Sequence, residues 1–486
     1  MKVLWIFHMA VKKTNYLHMK SLFFLLIIGI CGVGVVNAQK LRMPSFFSNN
    51  MVLQQNANVK LWGWARAGQK VCIIPSWSKD TITAVATGDA EWKTSIVTPG
   101  AGGPYKIAIE SQDQQLLLEN VLLGEVWLCS GQSNMQWSAL NNVKEMKAAL
   151  PTIANARIRF LQISNIAAQS PQNDVYDQWT ECNPQTAASF SAIGYFFAER
   201  LNKELGIPIG IINTSWGGTA AEYWTPKETI EADKELLDNA RLQKVAPRKP
   251  YQPGVLWNSM IYPFVGYEIA GALWYQGEDN TVSYWGYDKL MKAMVNSWRK
   301  AWEREFPFYF VQIAPFAYKY ETPNAALLRE QQSITALTLP KSAMVVTTDL
   351  VDNIKDIHPQ QKKAVASRLA DIALVKDYGK EKLGFLSPIY KSHTVEGNKI
   401  RIRFVHSEGN LRINGKSITD LLIAGEDRVF VPAVGKIEGN ELVVSASGIR
   451  KPVAVRFGFS NTAMPNLFTE SGLPVSPFRT DRWDTF

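Results

Sequence analysis

The rhythm of apolar and polar positions changes twice along the chain. From 39 to 120, apolar residues alternate with polar ones in short runs at 59–64, 70–74, 81–85, 92–97 and 105–109, punctuated by Gly, Pro and Asp. Period-two alternation with such punctuation predicts a small β-sandwich. From 121 to 384 the runs become continuously apolar, at 126–129, 158–163, 209–212, 269–275, 308–313 and 343–347, and helical patterns lie between them. Ile193, Phe197, Leu201 and Leu205 recur every fourth position, and a second helix is expected to start at Pro359 and bury Val365, Leu369 and Ile372. Strand and helix in alternation predict an α/β fold on a mainly parallel sheet, with ligands at the carboxyl ends of the strands. From 385 to 486 the β pattern returns, at 399–405, 441–445 and 452–457, and predicts a C-terminal β domain.

The first 38 residues stand apart. An apolar run at 22–36 follows a lysine-bearing stretch and ends in Val36-Asn37-Ala38, a small-residue cleavage pattern. It reads as an export signal, so the mature chain is expected to begin near Gln39 and to be periplasmic or secreted. The run is shorter than the ~20 residues that span a bilayer. Met19-Lys20-Ser21 offers a second start that gives a signal of ordinary length, and Ile30 before Cys31 does not suit lipidation. Four lysines and no acid lie in this segment, so the formal charge of +9 falls to +5 without it. The remaining excess is spread thinly, which argues against nucleic acid as the partner. Cys72, Cys129 and Cys182 remain, an odd number with no CxxC spacing. Neither a disulfide framework nor a metal site is expected, and no organic cofactor. Among 16 Trp, those in Leu61-Trp62-Gly63-Trp64 and Glu222-Tyr223-Trp224 have polar surroundings that suit stacking on sugar rings, while most others are expected in the core.

Histidine is scarce enough to narrow the chemistry. His8 and His18 fall in the signal region, His406 in the C-terminal β pattern, and His393 in what reads as a surface turn. His358, in Lys355-Asp-Ile-His-Pro359, leaves a predicted strand and has an acid two residues away. It is the candidate general base. For a nucleophile, Val126-Trp-Leu-Cys-Ser-Gly-Gln-Ser-Asn-Met135 would set Ser133 at the sheet's carboxyl edge, with Gly131 allowing a sharp turn and the next helix's N-terminus facing developing negative charge. The string lacks the last glycine of G-x-S-x-G, and Cys129 falls inside the buried strand. Two more loops follow strands. Asn213-Thr-Ser-Trp-Gly-Gly-Thr219 offers the N–H groups of Gly217 and Gly218, and Trp274-Tyr-Gln-Gly-Glu-Asp-Asn280 offers Gln276, Glu278 and Asn280. Four polar loops at strand ends are what a site built on a parallel sheet requires.

In this order, Gly131-Gln-Ser-Asn-Met135, Ser215-Trp-Gly-Gly-Thr219, Trp274-Tyr-Gln-Gly-Glu278 and Asp356-Ile-His-Pro359 resemble the four blocks of the sialate O-acetylesterase family, a branch of the SGNH (GDSL-like) hydrolases. The resemblance extends to 44–54, similar to that family's opening, and to 472–479, similar to its ending. It implies an SGNH-type, flavodoxin-like core flanked by β-sandwich-like regions, and an exported esterase for O-acetylated glycans, 9-O-acetylated sialic acids above all. Acetylxylan or another glycan is the alternative substrate, and a sugar-binding protein with an inactive core the alternative class. It also implies Ser133 as nucleophile, His358 as base, and the N–H groups of Ser133 and Gly217 or Gly218 with Gln276 as oxyanion donors, Asn280 being the alternative to Gln276. Many relatives place the orienting acid three residues before the histidine, where this chain has Lys355. The orienting group is therefore Asp356, Asp352, Asp349 or a backbone carbonyl. Activity is expected to rise with one ionisation near pH 6–7.

Overall fold

The computed structural model describes residues 40–483 apart from 244, 248 and 383. The expected export signal, with Cys31 and both candidate start positions, lies outside the described residues. At the centre are seven strands, β1 (Gln114–Gly131), β2 (Asn155–Gln162), β3 (Thr180–Cys182), β4 (Ile209–Asn213), β5 (Gly271–Tyr275), β6 (Phe308–Val311) and β7 (Ser342–Val345), in the spatial order β7-β6-β5-β1-β4-β2-β3. Neighbours run parallel except β3, which is antiparallel to β2. The chain winds from β1 to one side and then crosses to β5 on the other. That reversal puts the crevice outside the carboxyl end of β1 at the topological switch point.

Both faces of the sheet are covered, which is why its strands read as unbroken apolar runs. Trp127 and Cys129 of β1, Leu273 of β5 and Val311 of β6 share one apolar cluster with Ile193 and Phe197 of a helix at Ala192–Leu205 and with Val365 and Leu369 of a helix at Lys362–Lys376. Their immediate neighbours Val126, Leu128, Trp274 and Phe310 join the opposite cluster, with Met294 and Trp298 of Tyr287–Trp302, Leu328 of Asn324–Thr338, and Val59, Leu61 and Ile73 from the N-terminal strands. Burying one such large side chain contributes about 1.5–3 kcal/mol.

β1 is longer than the apolar run at 126–129 predicts. Its first part pairs antiparallel with Gly102–Ser111 and alternates in burial; its last part pairs with β4 and β5 and is buried throughout. One strand thus serves two sheets with different burial patterns, and only the second pattern stands out in sequence. Elsewhere in the N-terminal region Asn58–Trp64 pairs with Glu91–Val97. Towards the C-terminus, Ile389–Glu396, Lys399–Val405, Glu441–Ser445 and Val434–Glu438 make an antiparallel sheet, and Ile402, Leu442, Val455 and Phe457 lie in a third apolar cluster. His393 lies within the first of these strands rather than in a turn, with its Nδ1 2.7 Å from the Tyr390 hydroxyl. Among the described residues no helix is long and apolar enough to cross a membrane.

The helix expected from Pro359 begins at Lys362 instead. A distant carboxylate caps it, Glu145 Oε2 accepting the Lys363 N–H at 2.8 Å. The residues before Lys362 are left to form the loop that carries His358.

Candidate active site

β1 ends at Gly131 with φ +129°, where a Cβ would lie 2.3 Å from the Tyr275 carbonyl oxygen. Only glycine tolerates that conformation and that approach. Ser133 follows, half-buried, as the first residue of a single helical turn, Ser133–Gln136. The expected aid from a helix dipole is therefore reduced to one turn's own N–H groups, because a macrodipole needs many aligned peptides. The N–H of Ser133 itself has no acceptor among the described residues.

Far along the chain, the loop after β7 brings His358 Nε2 to 2.9 Å from Ser133 Oγ. The imidazole stacks on the indole of Trp137, with ring centres 3.7 Å apart and 18° between planes. Asp356 Oδ1 accepts the backbone N–H of His358 at 2.9 Å and lies 3.6 Å from Nδ1, near but outside hydrogen-bond range. The rival acids are engaged elsewhere. Asp349 makes a two-oxygen pair with Arg368 at 2.9 and 2.6 Å, and Asp352 accepts from Gln361 at 3.1 Å. Burial first, and then the Lys362 charge, push the His358 imidazole down to about 4, with Asp356 opposing them.

Behind Ser133, the side chain of Asn134 ties four segments together. Its Nδ2 donates to Glu278 Oε1 at 2.6 Å and to the Ile357 carbonyl at 3.1 Å, and its Oδ1 accepts from Lys362 Nζ at 2.6 Å. The nucleophile turn, the loop after β5, the histidine loop and the following helix thus meet on one amide. Glu278, proposed from sequence as a substrate-facing carboxylate, is buried there, and burial pushes it up to about 7 while Lys362 is pushed down to about 7. Neither Asn134 nor Lys362 emerges from sequence analysis as a site residue, and nor does Trp137. Lys362 carried a signal, since it sits three positions before Val365 on the apolar face of its helix. Replacing Asn134 with Ala leaves two buried ionisable groups without their partner, and is expected to lower unfolding stability by about 3 kcal/mol in urea titrations.

The amide-bearing loops depart from expectation. Gln276 Nε2 donates to the Thr219 carbonyl at 3.1 Å and to Asn280 Oδ1 at 2.7 Å, and its Oε1 accepts from the Tyr287 hydroxyl at 2.7 Å. Asn280 Nδ2 donates to Glu222 Oε2 at 2.9 Å and, more weakly, to Ser283 at 3.4 Å. Both side chains are fully buried with their amide hydrogens committed, so neither has a donor left for a substrate oxygen. They join the 213–219 loop to the 276–280 loop. Gly217 is well placed instead, a Cβ there lying 3.3 Å from the Ser133 Cβ, and its N–H donates to Gln136 Oε1 at 2.8 Å. A substrate oxyanion would have to take that acceptor's place. Gly218, at φ +68°, follows it in the turn.

Cys129 is buried in β1, where desolvation pushes its thiol well above the ordinary range. That rules it out as a thiolate nucleophile. Cys72 and Cys182 are likewise unpaired. Trp224 is fully buried, its indole N–H donating to Thr219 Oγ1 at 3.0 Å, so it offers no ring to a sugar; Trp62 and Trp64 are only half-buried.

Residues 123–374 match the family model described as carbohydrate esterase, sialic acid-specific acetylesterase. Sialate O-acetylesterase of Homo sapiens is 30% identical over 72% of this chain and 73% of its own length. The same-named protein of Pongo abelii is 29% identical over 90% of this chain and 92% of its own length. A crystal structure of a carbohydrate acetylesterase from Xanthomonas citri superposes with a TM-score of 0.83 at 32% identity, covering 91% of this chain and 100% of that one.

Proposed function

The chain belongs to the sialic acid-specific acetylesterase family of carbohydrate esterases, and from that premise we propose that it is an exported enzyme that removes O-acetyl groups from 9-O-acetylated sialic acids. The observation that carries the mechanism is the 2.9 Å contact between Ser133 Oγ and His358 Nε2 at the sheet's switch point. Ser133 Oγ attacks the ester carbonyl as His358 takes its proton. The N–H groups of Ser133 and Gly217, with Gly218 beside them, receive the oxyanion once Gln136 Oε1 has swung aside. Collapse of the intermediate breaks the bond to the sugar oxygen, which takes the proton from His358. Water, deprotonated by the same imidazole, then attacks the acyl carbon, the bond to Ser133 Oγ breaks, that oxygen recovers the proton from His358, and acetate leaves. Asp356 steadies the imidazolium, and the Trp137 face favours that cation as well. Asn134, Glu278 and Lys362 hold the reacting loops in register. In this reading the core is SGNH-type, with β-sandwich-like modules at 39–120 and 385–486 flanking 121–384.

Lys249 supports an acidic sugar. Its side chain passes 3.8 Å from where a Gly218 Cβ would stand, and its ammonium pairs with Asp279 at 2.9 Å. A sialic acid carboxylate could share that cation. Acetate release should be compared on 9-O-acetylated N-acetylneuraminic acid and on acetylxylan. A higher kcat/KM on the sialic acid, with KM raised by Lys249→Met on that substrate alone, is the expected result. Faster turnover of acetylxylan would end the sialate reading and leave the esterase. That second substrate has one observation in its favour, the superposition on a structure described only as a carbohydrate acetylesterase.

The pH dependence follows from the environment of His358. The base must be neutral, so activity appears as pH rises through its pKa, about 4 here rather than 6–7. In Lys362→Met one of the two causes of that depression is gone, and Glu278, already pushed up to about 7, can take a proton in compensation. The acid limb of kcat/KM should move up towards the ordinary histidine value near 6.5. An unmoved limb would show that Lys362 does not act on His358.

A further inference from the structure

An aromatic cleft of about 480 Å³ lies between the antiparallel strand pair Asn58–Trp64 and Glu91–Val97 and the segment around Tyr262. Trp62 and Trp64 stand two residues apart on the same face of their strand, opposite Lys93 and Glu91 respectively. Tyr262 and Asn173 line the cleft with them. Among the described residues most large aromatics are deep in the core, where the indole N–H groups of Trp127, Trp224, Trp298 and Trp302 donate to protein oxygens and those of Trp92, Trp179 and Trp274 are sealed from solvent without a partner. In the cleft, unpartnered groups face solvent instead. Among the described residues, the indole N–H groups of Trp62 and Trp64 and the Tyr262 hydroxyl have no protein partner, and they are not sealed from solvent. Glu91, Lys93 and Asn173 likewise make no side-chain hydrogen bond or ion pair there. Trp64 is held in place by the Arg42 guanidinium, 3.9 Å from its ring centre, and by paired backbone hydrogen bonds between the two residues.

The cleft is remote from Ser133. Gly266, beside Trp62, precedes β5 by five residues, and Lys60 on the same strand face pairs with Glu303, five residues before β6. Both strands enter the sheet there, whereas Ser133 follows the carboxyl end of β1, to which β5 is parallel. The cleft therefore sits on the amino-end side of the sheet and shares no residue with the site described above.

We propose that this cleft is a second, non-catalytic carbohydrate site that holds neutral pyranose units of a polysaccharide. Rings held rigidly with free polar edges suit a ligand that is apolar on its face and hydroxylated around its rim, which is the character of a sugar. The ionisable groups that line the cleft, Lys93 and Glu91, are of opposite sign and offset one another, and the Arg42 guanidinium lies against the ring of Trp64 rather than in the lining. Its occupation would lengthen residence on a polymer without touching the ester chemistry.

The probe is soluble deacetylated xylan in native affinity gels, because a polymer without esters cannot engage Ser133 as a substrate. The expected result is retardation of the wild-type chain by xylan, with apparent affinity reduced about tenfold or more in Trp64→Ala and in Tyr262→Ala. Hydrolysis of 4-nitrophenyl acetate should be unchanged in both, which reports an intact fold and keeps this result separate from the esterase reading. Lys93→Ala, an exposed position, serves as a second variant should Trp64→Ala misfold, and is expected to weaken retardation by a smaller factor. No retardation of the wild type, or equal retardation of wild type and variants, would overturn the proposal. Retardation by polysialic acid but not by xylan would overturn its neutral-sugar part.

Discussion

Ser133→Ala is expected to lower acetate release by at least about 10⁴-fold while leaving the thermal transition where it is. The turn that presents Ser133 is made by Gly131, whose φ of +129° and close approach to Tyr275 do not involve the serine hydroxyl. Asn134, not Ser133, carries the hydrogen bonds that join the surrounding loops. The substitution therefore deletes the attacking oxygen and its contact with His358 and little else. Residual turnover should come from the oxyanion donors alone, which still act on a water molecule. Pre-steady-state measurements with an excess of a chromogenic acetate would settle the matter: an initial burst of the leaving group in the wild type that vanishes in the variant supports an acyl-enzyme. A folded variant retaining more than a few per cent of activity would remove Ser133 as nucleophile.

The second large effect concerns the orienting acid. Asp356→Asn is expected to reduce kcat by about 10²–10⁴-fold, the range spanned by acid–base assistance and by replacement of a triad acid with its amide. The lower part of that range is favoured, because Asp356 is 3.6 Å from His358 Nδ1 and its side chain is 45% exposed, so water screens the pair. The equivalent change at Asp352 should alter kcat by less than about twofold, since that carboxylate holds only Gln361 and is exposed. Asp349→Asn weakens a shielded two-oxygen pair with Arg368, and its cost should fall on stability rather than on turnover. Damage to kcat from Asp352→Asn with Asp356→Asn near wild type would reverse the assignment. If all three are mild while His358→Ala is inactive, a backbone carbonyl orients the ring.

Much of this arrangement was legible in the chain itself, for reasons that are local. Residues 126–129, 209–212 and 269–275 read as two-faced buried strands, because no polar residue interrupts them and strand side chains alternate in direction. Gly131 had to be a glycine turn, and Ser133 and Gly217 follow their strands by two and four residues, while His358 lies in the longer loop after β7. Elimination among five histidines needed no coordinates. What sequence analysis misjudged were properties set at long range. Gln276 and Asn280 look like free amides until Thr219, Glu222 and Tyr287 are seen to consume them. Lys362, whose place on an apolar helix face was its one signal, shows its role only when the turn 228 residues earlier receives its ammonium. The choice among three aspartates depended on which of them Arg368 and Gln361 had already taken. Burial, and after it the Lys362 charge, pushed the His358 imidazole down to about 4 where an isolated one would sit near 6.5. The physical division is that backbone conformation and strand patterning are written within a few neighbouring residues, whereas desolvation and hydrogen-bond occupancy depend on groups that meet only when the chain has folded.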